Sequence, residues 1–286
     1  MLMGQFLKSV IQNKPLLLLI IFIILVVVAG LFSYQKFFVR GSTSLPLEEV
    51  DLTFDPEGPY ALLFPRRDGN ALNLVIKRVA SFEEFSYQIA YADETGVDRG
   101  AGSLDTWIKL PKNRSEYEQE ILFGTCSTGG TCVYDKGVEN GTLILRIKKG
   151  NKAFRMTTQW HLQKPDLQLG KLFSGDAHFA YDLATESVQL SLVKFTIIND
   201  LTGAPKLPSG KAVLGKVYAL NTPQSKSLPE GMVTIELVQT PSSELKIARF
   251  DETGNQWVEY ETKIEGSSLF AQSESGGIFS VLAPLK

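Results

Sequence analysis

The chain has 286 residues, with 29 Lys and Arg against 31 Asp and Glu, two His and two Cys. Residues 1–40 hold four of the basic residues, Lys8, Lys14, Lys36 and Arg40, and no acidic one; the other 246 residues keep 25 basic against 31 acidic side chains, a net −6. A mildly acidic body lacks the basic face that nucleic acid needs, so nucleic acid is not expected as a partner.

Residues 1–14 read as a short cytoplasmic tail, too short to fold alone. Residues 15–33 read as one transmembrane helix. PLLLLIIFIILVVVAGLF, from Pro15 to Phe32, carries no charge, and eighteen helical residues rise about 27 Å, near the hydrocarbon thickness of a bilayer. A helix satisfies its own backbone in lipid, and Pro15 suits a first turn. Tyr34, Phe37, Phe38, Lys36 and Arg40 follow the span as interfacial residues do. A cleaved signal peptide is the alternative, although its apolar region is usually about 7–15 residues. Two basic residues lie on each side of the span, so charge does not orient it. Residues 34–50, ending in the small and polar GSTSLPLEE, read as a juxtamembrane tether.

The body reads as all-β, as two β-sandwich-like domains behind the single N-terminal transmembrane helix: residues 51–164 and residues 165–286. Short runs with two-residue alternation mark half-buried strands. In TLILRIKKG, Leu143, Leu145 and Ile147 share one face. In FRMTTQWHLQ, Met156, Thr158, Trp160 and Leu162 alternate with Thr157, Gln159, His161 and Gln163. In MVTIEL, Val233, Ile235 and Leu237 point inward. Turn formers such as Asp68-Gly69-Asn70, Asn140-Gly141 and Thr253-Gly254-Asn255 separate the runs, a spacing typical of sandwiches and barrels. Two runs break step. In SVQLSLVKFTII the apolar set shifts from Val188, Leu190 and Leu192 to Val193, Phe195 and Ile197, and in ELKIARF from Leu245 and Ile247 to Phe250. A bulge, a bend or a strand passing between sheets is expected there. KPDLQLG, 164–170, is the expected domain boundary; 199–211, NDLTGAPKLPSGK, reads as a long loop inside the second domain.

ADETGVDRGAG, 92–102, is an acidic, glycine-rich loop whose Asp93, Glu94 and Asp98 are candidate contact residues. They offer oxygens to Ca²⁺, but the spacing is not that of an EF-hand, and a plain hairpin loop is the simpler reading. GTCSTGGTCVY, 124–134, reads as a hairpin. A three-residue loop, Thr128-Gly129-Gly130, puts Cys126 opposite Cys132 and places a glycine at the left-handed position that this loop type needs. Ser127 and Thr131 then close the loop as a hydrogen-bonded pair, and the cysteines fall at the closer, non-hydrogen-bonded pair, at a disulfide's separation. A free thiol pair and a metal site are the alternatives; two thiolates leave two tetrahedral positions unfilled. A disulfide needs an oxidising compartment, which orients the chain with its N-terminus cytoplasmic and its body extracytoplasmic. The tip, Ser127, Thr128, Gly129, Gly130 and Thr131, is a candidate contact loop.

Ser174, Asp176 and His178 have the residue types of a hydrolytic triad, yet proximity in sequence is no sign of triad geometry. His161 reads as a solvated strand residue. No catalytic residue, metal site or cofactor is expected. LPEGMVTIELVQ, LKIARFDETGNQWVEY and GGIFSVLAP, through Pro229, Gly231, Phe250, Asp251, Trp257, Gly277 and Phe279, resemble the ZU5-like all-β module that ends many bacterial surface proteins. That resemblance implies a structural or interaction domain. The expected function is thus a membrane-anchored binding or scaffold protein of the cell envelope, single-pass in the cell membrane, with a protein or glycan partner outside the cytoplasm. An extracytoplasmic hydrolase with a dispersed site, or a structural subunit of a membrane complex, is the alternative.

Overall fold

The computed structural model describes residues 14–34, 48–103, 106–111, 114–164, 170–184, 190, 192–224, 227–239 and 245–285. The chain forms two compact units, Met1–Leu47 and Glu48–Lys286. In the first, α1 spans Lys14–Tyr34, 21 residues and so about 32 Å of helix. Among the described residues no helix is long and apolar enough to cross a membrane. Within α1 the described side chains are those of Pro15, Leu18, Phe22, Ile23 and residues 25–31, and all are exposed. Residues 25–31 go nearly twice round the helix axis, so its apolar surface faces outward on every side. The helix expected over 15–33 is therefore present as a helix; a membrane crossing does not follow from that alone. The tail 1–13 and tether residues 35–47 lie outside the described residues.

The second unit is all-β and sandwich-like. In chain order its strands are β1 (Glu48–Asp51), β2 (Tyr60–Pro65), β3 (Ala71–Lys77), β4 (Glu84–Ala92), β5 (Asp98–Gly102), β6 (Tyr117–Leu122), β7 (Gly124–Cys126), β8 (Cys132–Tyr134), β9 (Asn140–Lys149) and β10 (Lys152–Gln163). Then follow β11 (Lys171–Phe173), β12 (Phe179–Leu183), β13 (Phe195–Ile198), β14 (Lys211–Asn221), β15 (Gly231–Glu236), β16 (Lys246–Asp251), β17 (Gln256–Glu259), β18 (Lys263–Glu265), β19 (Ser268–Ser273) and β20 (Gly277–Pro284). One long sheet has the order β17-β16-β20-β14-β13-β10-β9-β4-β5, with β1 also on β10. Two smaller sheets, β2-β3-β6 and β11-β12-β15-β19-β18, complete the layers, and β7-β8 is a separate hairpin.

The expected boundary at 164/165 falls between strands that pair directly. β10 meets β13, Trp160 opposite Ile198 and Gln163 opposite Phe195, so both halves contribute to one sheet. Each half still has its own core, one on each face of that sheet. The first core gathers Leu63, Leu74, Tyr87, Leu145 and Trp160, and also takes in Ile198, Ala219, Phe250 and Ile278. The second gathers Leu172, Phe179, Val233 and Leu269 with Phe195, Ile197, Tyr218, Leu220 and Phe279. Neighbouring residues of β13, β14, β16 and β20 thus point into different cores.

This two-sided burial explains the run ELKIARF. Leu245 and Ile247 enter the second core while Ala248 and Phe250 enter the first, with no register shift where β16 pairs β17 and β20. In β13 all four residues are buried. The step at Leu192 and Val193 has another cause: the strand begins only at Phe195, and ahead of it a turn carries Leu190 and Val193 into the second core while Leu192 is exposed; residues 187–189 and 191 lie outside the described residues. A strand buried on both faces has no reason to alternate. The irregularity that does occur is in β14, between Leu214 and Val217. Strands β9 and β10 do alternate as expected, with Leu143, Leu145, Ile147, Met156, Thr158, Trp160 and Leu162 all buried, because their other face is wet.

Polar side chains tie the layers together. β2 is the edge of its sheet, and the Leu63 carbonyl accepts hydrogen bonds from Thr196 Oγ1 and from Asn221 Nδ2, the latter at 3.1 Å. The expected loop at 199–211 exists but is largely buried: Leu201, Thr202 and Ala204 are at most 2 % exposed, and Thr202 Oγ1 donates to the Pro59 carbonyl at 3.0 Å. At the body's start, cross-strand pairs Glu48–Lys152 (3.4 Å) and Asp51–Arg155 (3.8 Å) sit in register on β1 and β10.

One glycine is dictated by packing. Tyr91, Gly141, Trp160 and Ile198 face each other across four strands. A Cβ on Gly141 would lie 2.2 Å from Trp160 Cζ2 and 2.4 Å from the Ala90 carbonyl. The indole is wedged between Phe123, stacked at 6.0 Å, and the backbone, so it cannot retreat. Gly141→Ala is expected to lower stability by about 3 kcal/mol, the scale of overpacking a tight core; urea denaturation showing a loss under about 0.5 kcal/mol would contradict this packing.

Candidate functional site

The cysteine hairpin forms in the expected register. Cys126 faces Cys132 and the two are joined, with Cα atoms 4.0 Å apart. Ser127 N–H donates to the Thr131 carbonyl at 2.8 Å and Gly130 N–H to the Ser127 carbonyl at 3.0 Å. Gly130 has φ +84°, the left-handed backbone that favours glycine. The tip, 127–131, is exposed. At its base, Phe123 is buried between Tyr91, edge-on at 4.8 Å, and Trp160, so the hairpin projects from a fixed root.

The structure brings the second candidate loop to the same place. Glu94 N–H donates to the Lys136 carbonyl at 2.7 Å, Tyr91 hydroxyl donates to Asp135 at 2.9 Å, and Arg99 bridges Asp93 at 3.2 Å and Asp135 at 3.7 Å. Asp93 itself is a turn-former. Its carboxylate accepts from Thr95 hydroxyl (2.5 Å), Thr95 N–H (2.9 Å) and Val97 N–H (3.2 Å). These bonds, the Thr95 hydroxyl first, hold its carboxyl at about 2. Asp93 is therefore committed to the β4–β5 turn, and among the described residues no group of three or more His, Cys, Asp or Glu is placed to hold a metal ion. Asp98, in β5, has a different situation: it lines a cavity.

That cavity, of about 370 Å³, opens on the wet face of β4, β9 and β10. Asp98, Asn140, Thr142, Gln159 and Asn199 supply its polar lining, with Gly141 and Gly175 leaving space, while the Trp160 indole packs into the first core on the opposite face of the sheet. Trp160 and Asn199 are only 2 % and 1 % exposed, yet Trp160 Nε1 and both amide atoms of Asn199 have no hydrogen-bond partner among the described residues. Buried polar groups are normally paired, so these three atoms are unusual. No local motif announces Asn199, which reads as loop; only the pairing of β10 with β13 sets it beside Gln159 at the cavity.

His161 departs from expectation. It is half-buried, its Nδ1 lies 2.7 Å from Asn140 Oδ1, and Phe173 stacks on its ring at 5.7 Å; burial pushes its pKa down. Ser174, Asp176 and His178 do not form a relay. Ser174, wholly buried, donates from its hydroxyl to Asp176 at 2.5 Å and accepts from Phe179 N–H at 3.1 Å, closing a turn between β11 and β12. The His178 ring faces Glu236, at 3.6 Å. Asp176 instead pairs with Lys216 at 2.9 Å, and Lys216 also reaches Asp200 at 3.4 Å.

The two carboxyls are displaced in opposite directions. Burial opposes ionisation of Asp176, but the Ser174 hydroxyl, Lys216 and the His178 amide outweigh it and hold its carboxyl below the usual range. Burial pushes Asp200 up, and Lys216 offsets this only in part. Asp176 therefore contributes stability that is present above the unfolded carboxyl pKa and lost as pH falls through its folded value. Asp200 contributes in the reverse sense, with stability present at low pH and lost as pH rises through its folded value.

No family model, characterised protein or solved structure matches this chain.

Lys216→Met is expected to raise the titration midpoints of both Asp176 and Asp200, read by carbonyl NMR. The variant's stability deficit should be largest at neutral pH and shrink as the carboxylates protonate. Midpoints that stay in place, or a deficit independent of pH, would remove Lys216 from this role.

Proposed function

We propose that this chain is a membrane-anchored, extracytoplasmic binding or scaffold protein of the cell envelope, held by α1 and making its contacts through Glu48–Lys286. The observation that carries the reading is the surface of α1. Leu18, Phe22, Leu25 and Leu31 are each at least 60 % exposed, and leaving such side chains in water forgoes about 1.5–3 kcal/mol apiece. A helix apolar on every face belongs in lipid or in a core, and Pro15 to Phe32 carries no charge. The Cys126–Cys132 disulfide supports an oxidising compartment for the body.

Binding rather than catalysis is supported by what the candidate catalytic and charged side chains do: Ser174, Asp176, Lys216 and Asp93 are engaged in turns and ion pairs. The likeness of the last strands to a ZU5-like module supports the same reading. Phe250 and Trp257, part of that likeness, pack edge to face at 5.7 Å. The rigid end that carries the hairpin tip and the 92–102 loop offers a protein or glycan partner two adjacent loops on a fixed scaffold, the usual placement of binding residues.

Alkaline carbonate treatment of membranes holding the full chain should leave it in the pellet. A variant with Val26→Lys and Val27→Lys, which adds two charges at the helix centre at about 3 kcal/mol each, should move to the supernatant. Alkylation in living cells should find both cysteines blocked until a reductant is added. Extraction of the unaltered chain, or free thiols, would contradict the reading.

A further inference from the structure

We propose that the free edge of β5 is a docking site for an extended segment of a partner protein, added as a further strand, with a lysine or arginine side chain laid into the neighbouring cavity. This deepens the binding part of the function above and rests on it, but not on the anchor. β5 ends the long sheet, and its Asp98, Arg99, Gly100 and Gly102 are exposed. An uncovered edge is a template for another chain, and proteins usually guard it with charged side chains, Pro or bulges. The edge strand β6 carries exposed Glu118 and Glu120, and β18 carries exposed Lys263 and Glu265. In β5, Gly100, Ala101 and Gly102 offer nothing larger than a methyl group.

The register says which backbone groups are free. β4 and β5 pair Ile89 with Ala101 and Tyr91 with Arg99. Ser103 N–H donates to the Tyr87 carbonyl at 2.8 Å and Asp93 N–H to the Val97 carbonyl at 3.2 Å. Both bonds belong to the odd-numbered pairs, so Arg99 and Ala101 spend their backbone bonds on β4. In an antiparallel ladder the residues between them point the other way. Asp98 and Gly100 therefore turn their N–H and C=O groups outward, where an added strand meets them. Main-chain bonds of this kind give strand addition its affinity, and side-chain pockets give it specificity.

The cavity supplies that pocket. Ala92 pairs with Asp98 and Ala90 with Gly100, so the Asp98 side chain shares the wet face with the cavity it lines. Adjacent strands lie about 4.8 Å apart. Because Gly100 has no side chain, the long stem of a basic residue opposite it on the added strand can cross β5 and reach the cavity. Asp98 is the one charged residue in the lining, which holds no Lys, Arg or His, and Thr142 and Gln159 add a hydroxyl and an amide oxygen. Arg99 does not neutralise Asp98: it alternates to the opposite face of β5, where Asp93 and Asp135 hold it. The charge that complements this lining is positive, which selects a basic residue and turns away an acidic one. The volume, about 370 Å³, is ample for one such side chain.

The test uses the full chain, ¹⁵N-labelled, in a detergent with an uncharged headgroup. The probe is the acetylated, amidated peptide Thr-Val-Lys-Val-Thr, which alternates as a strand does. Titration should shift the amide resonances of Asp98 and Gly100 saturably and slow their exchange with solvent. The same peptide with glutamate in place of lysine should bind at least about tenfold more weakly, the scale of one hydrogen bond to a charged group. Asp98→Asn should remove most of that preference. Gly100→Pro should abolish binding. It suits the fold, because the lost N–H points outward, Pro is accepted at such edge positions, and a Cβ there lies 3.5 Å from the Ile89 carbonyl, an ordinary contact. Asp98→Asn covers the case in which Gly100→Pro fails to fold. Four results overturn the proposal: no shift with the lysine peptide; equal binding of the two peptides; binding untouched by both variants; or the same shifts on concentrating the chain alone, which would make a second copy the occupant. A chain that stays with membranes through carbonate treatment, with its cysteines joined, and fails here loses this inference and keeps the anchored reading.

Discussion

The body depends on one sheet having to be apolar on both sides. β13, β14, β16 and β20 carry Phe195, Ile197, Tyr218, Leu220, Ile247 and Phe279 to one core, and Ile198, Val217, Ala219, Ala248, Phe250 and Ile278 to the other. Neither small sheet has a core without these strands. A three-stranded layer such as β2-β3-β6 needs a second layer to bury its face, and the long sheet supplies it. The polar groups on the shared strands obey the same constraint: Thr196 and Asn221 face the first core and spend their hydrogen bonds on the free edge of β2.

Where the long sheet passes from β13 to β10, the second covering layer stops. The face that was dry becomes wet, and the residues on it change from apolar to Thr142, Gln159, His161 and Arg146. The cavity lies at this transition, with Asn199 from the buried side and Gln159 from the open one. An edge between dry and wet is where buried polar atoms can remain close to solvent without a protein partner. It is also where Ala92 and Asp98 of the 92–102 loop meet Gly175 of the turn at 174–179, so the place of this cavity follows from the layering rather than from any local motif.

The legible parts of the sequence were those set by short-range geometry. The loop 128–130 could be derived because turn length, glycine position and strand register are linked within seven residues, and the apolar alternation of β9 and β10 because each has one wet face. Two-sided burial was harder to read. A strand such as ELKIARF looks like a register error when one face is assumed to be solvent, and nothing local says otherwise. Long-range pairing was not legible at all. The meeting of β10 with β13 runs from Trp160 to Ile198, and it turns the expected boundary at 164/165 into an internal position of one sheet. Asn199 could not be set beside Gln159 at the cavity without it. His161, read as solvated by alternation, is covered by Phe173 from a neighbouring segment.

If both cores share β13, β14, β16 and β20, neither can melt while the other stays folded. Native-state amide exchange across a denaturant series, on the full chain in detergent, tests this directly. The shared-sheet account predicts that amides of β3 and β9, and those of β12 and β15, reach the same global opening free energy and denaturant dependence, with β13 and β14 the last to exchange. Residues 60–123 opening in a separate transition while 172–281 remain protected would contradict it.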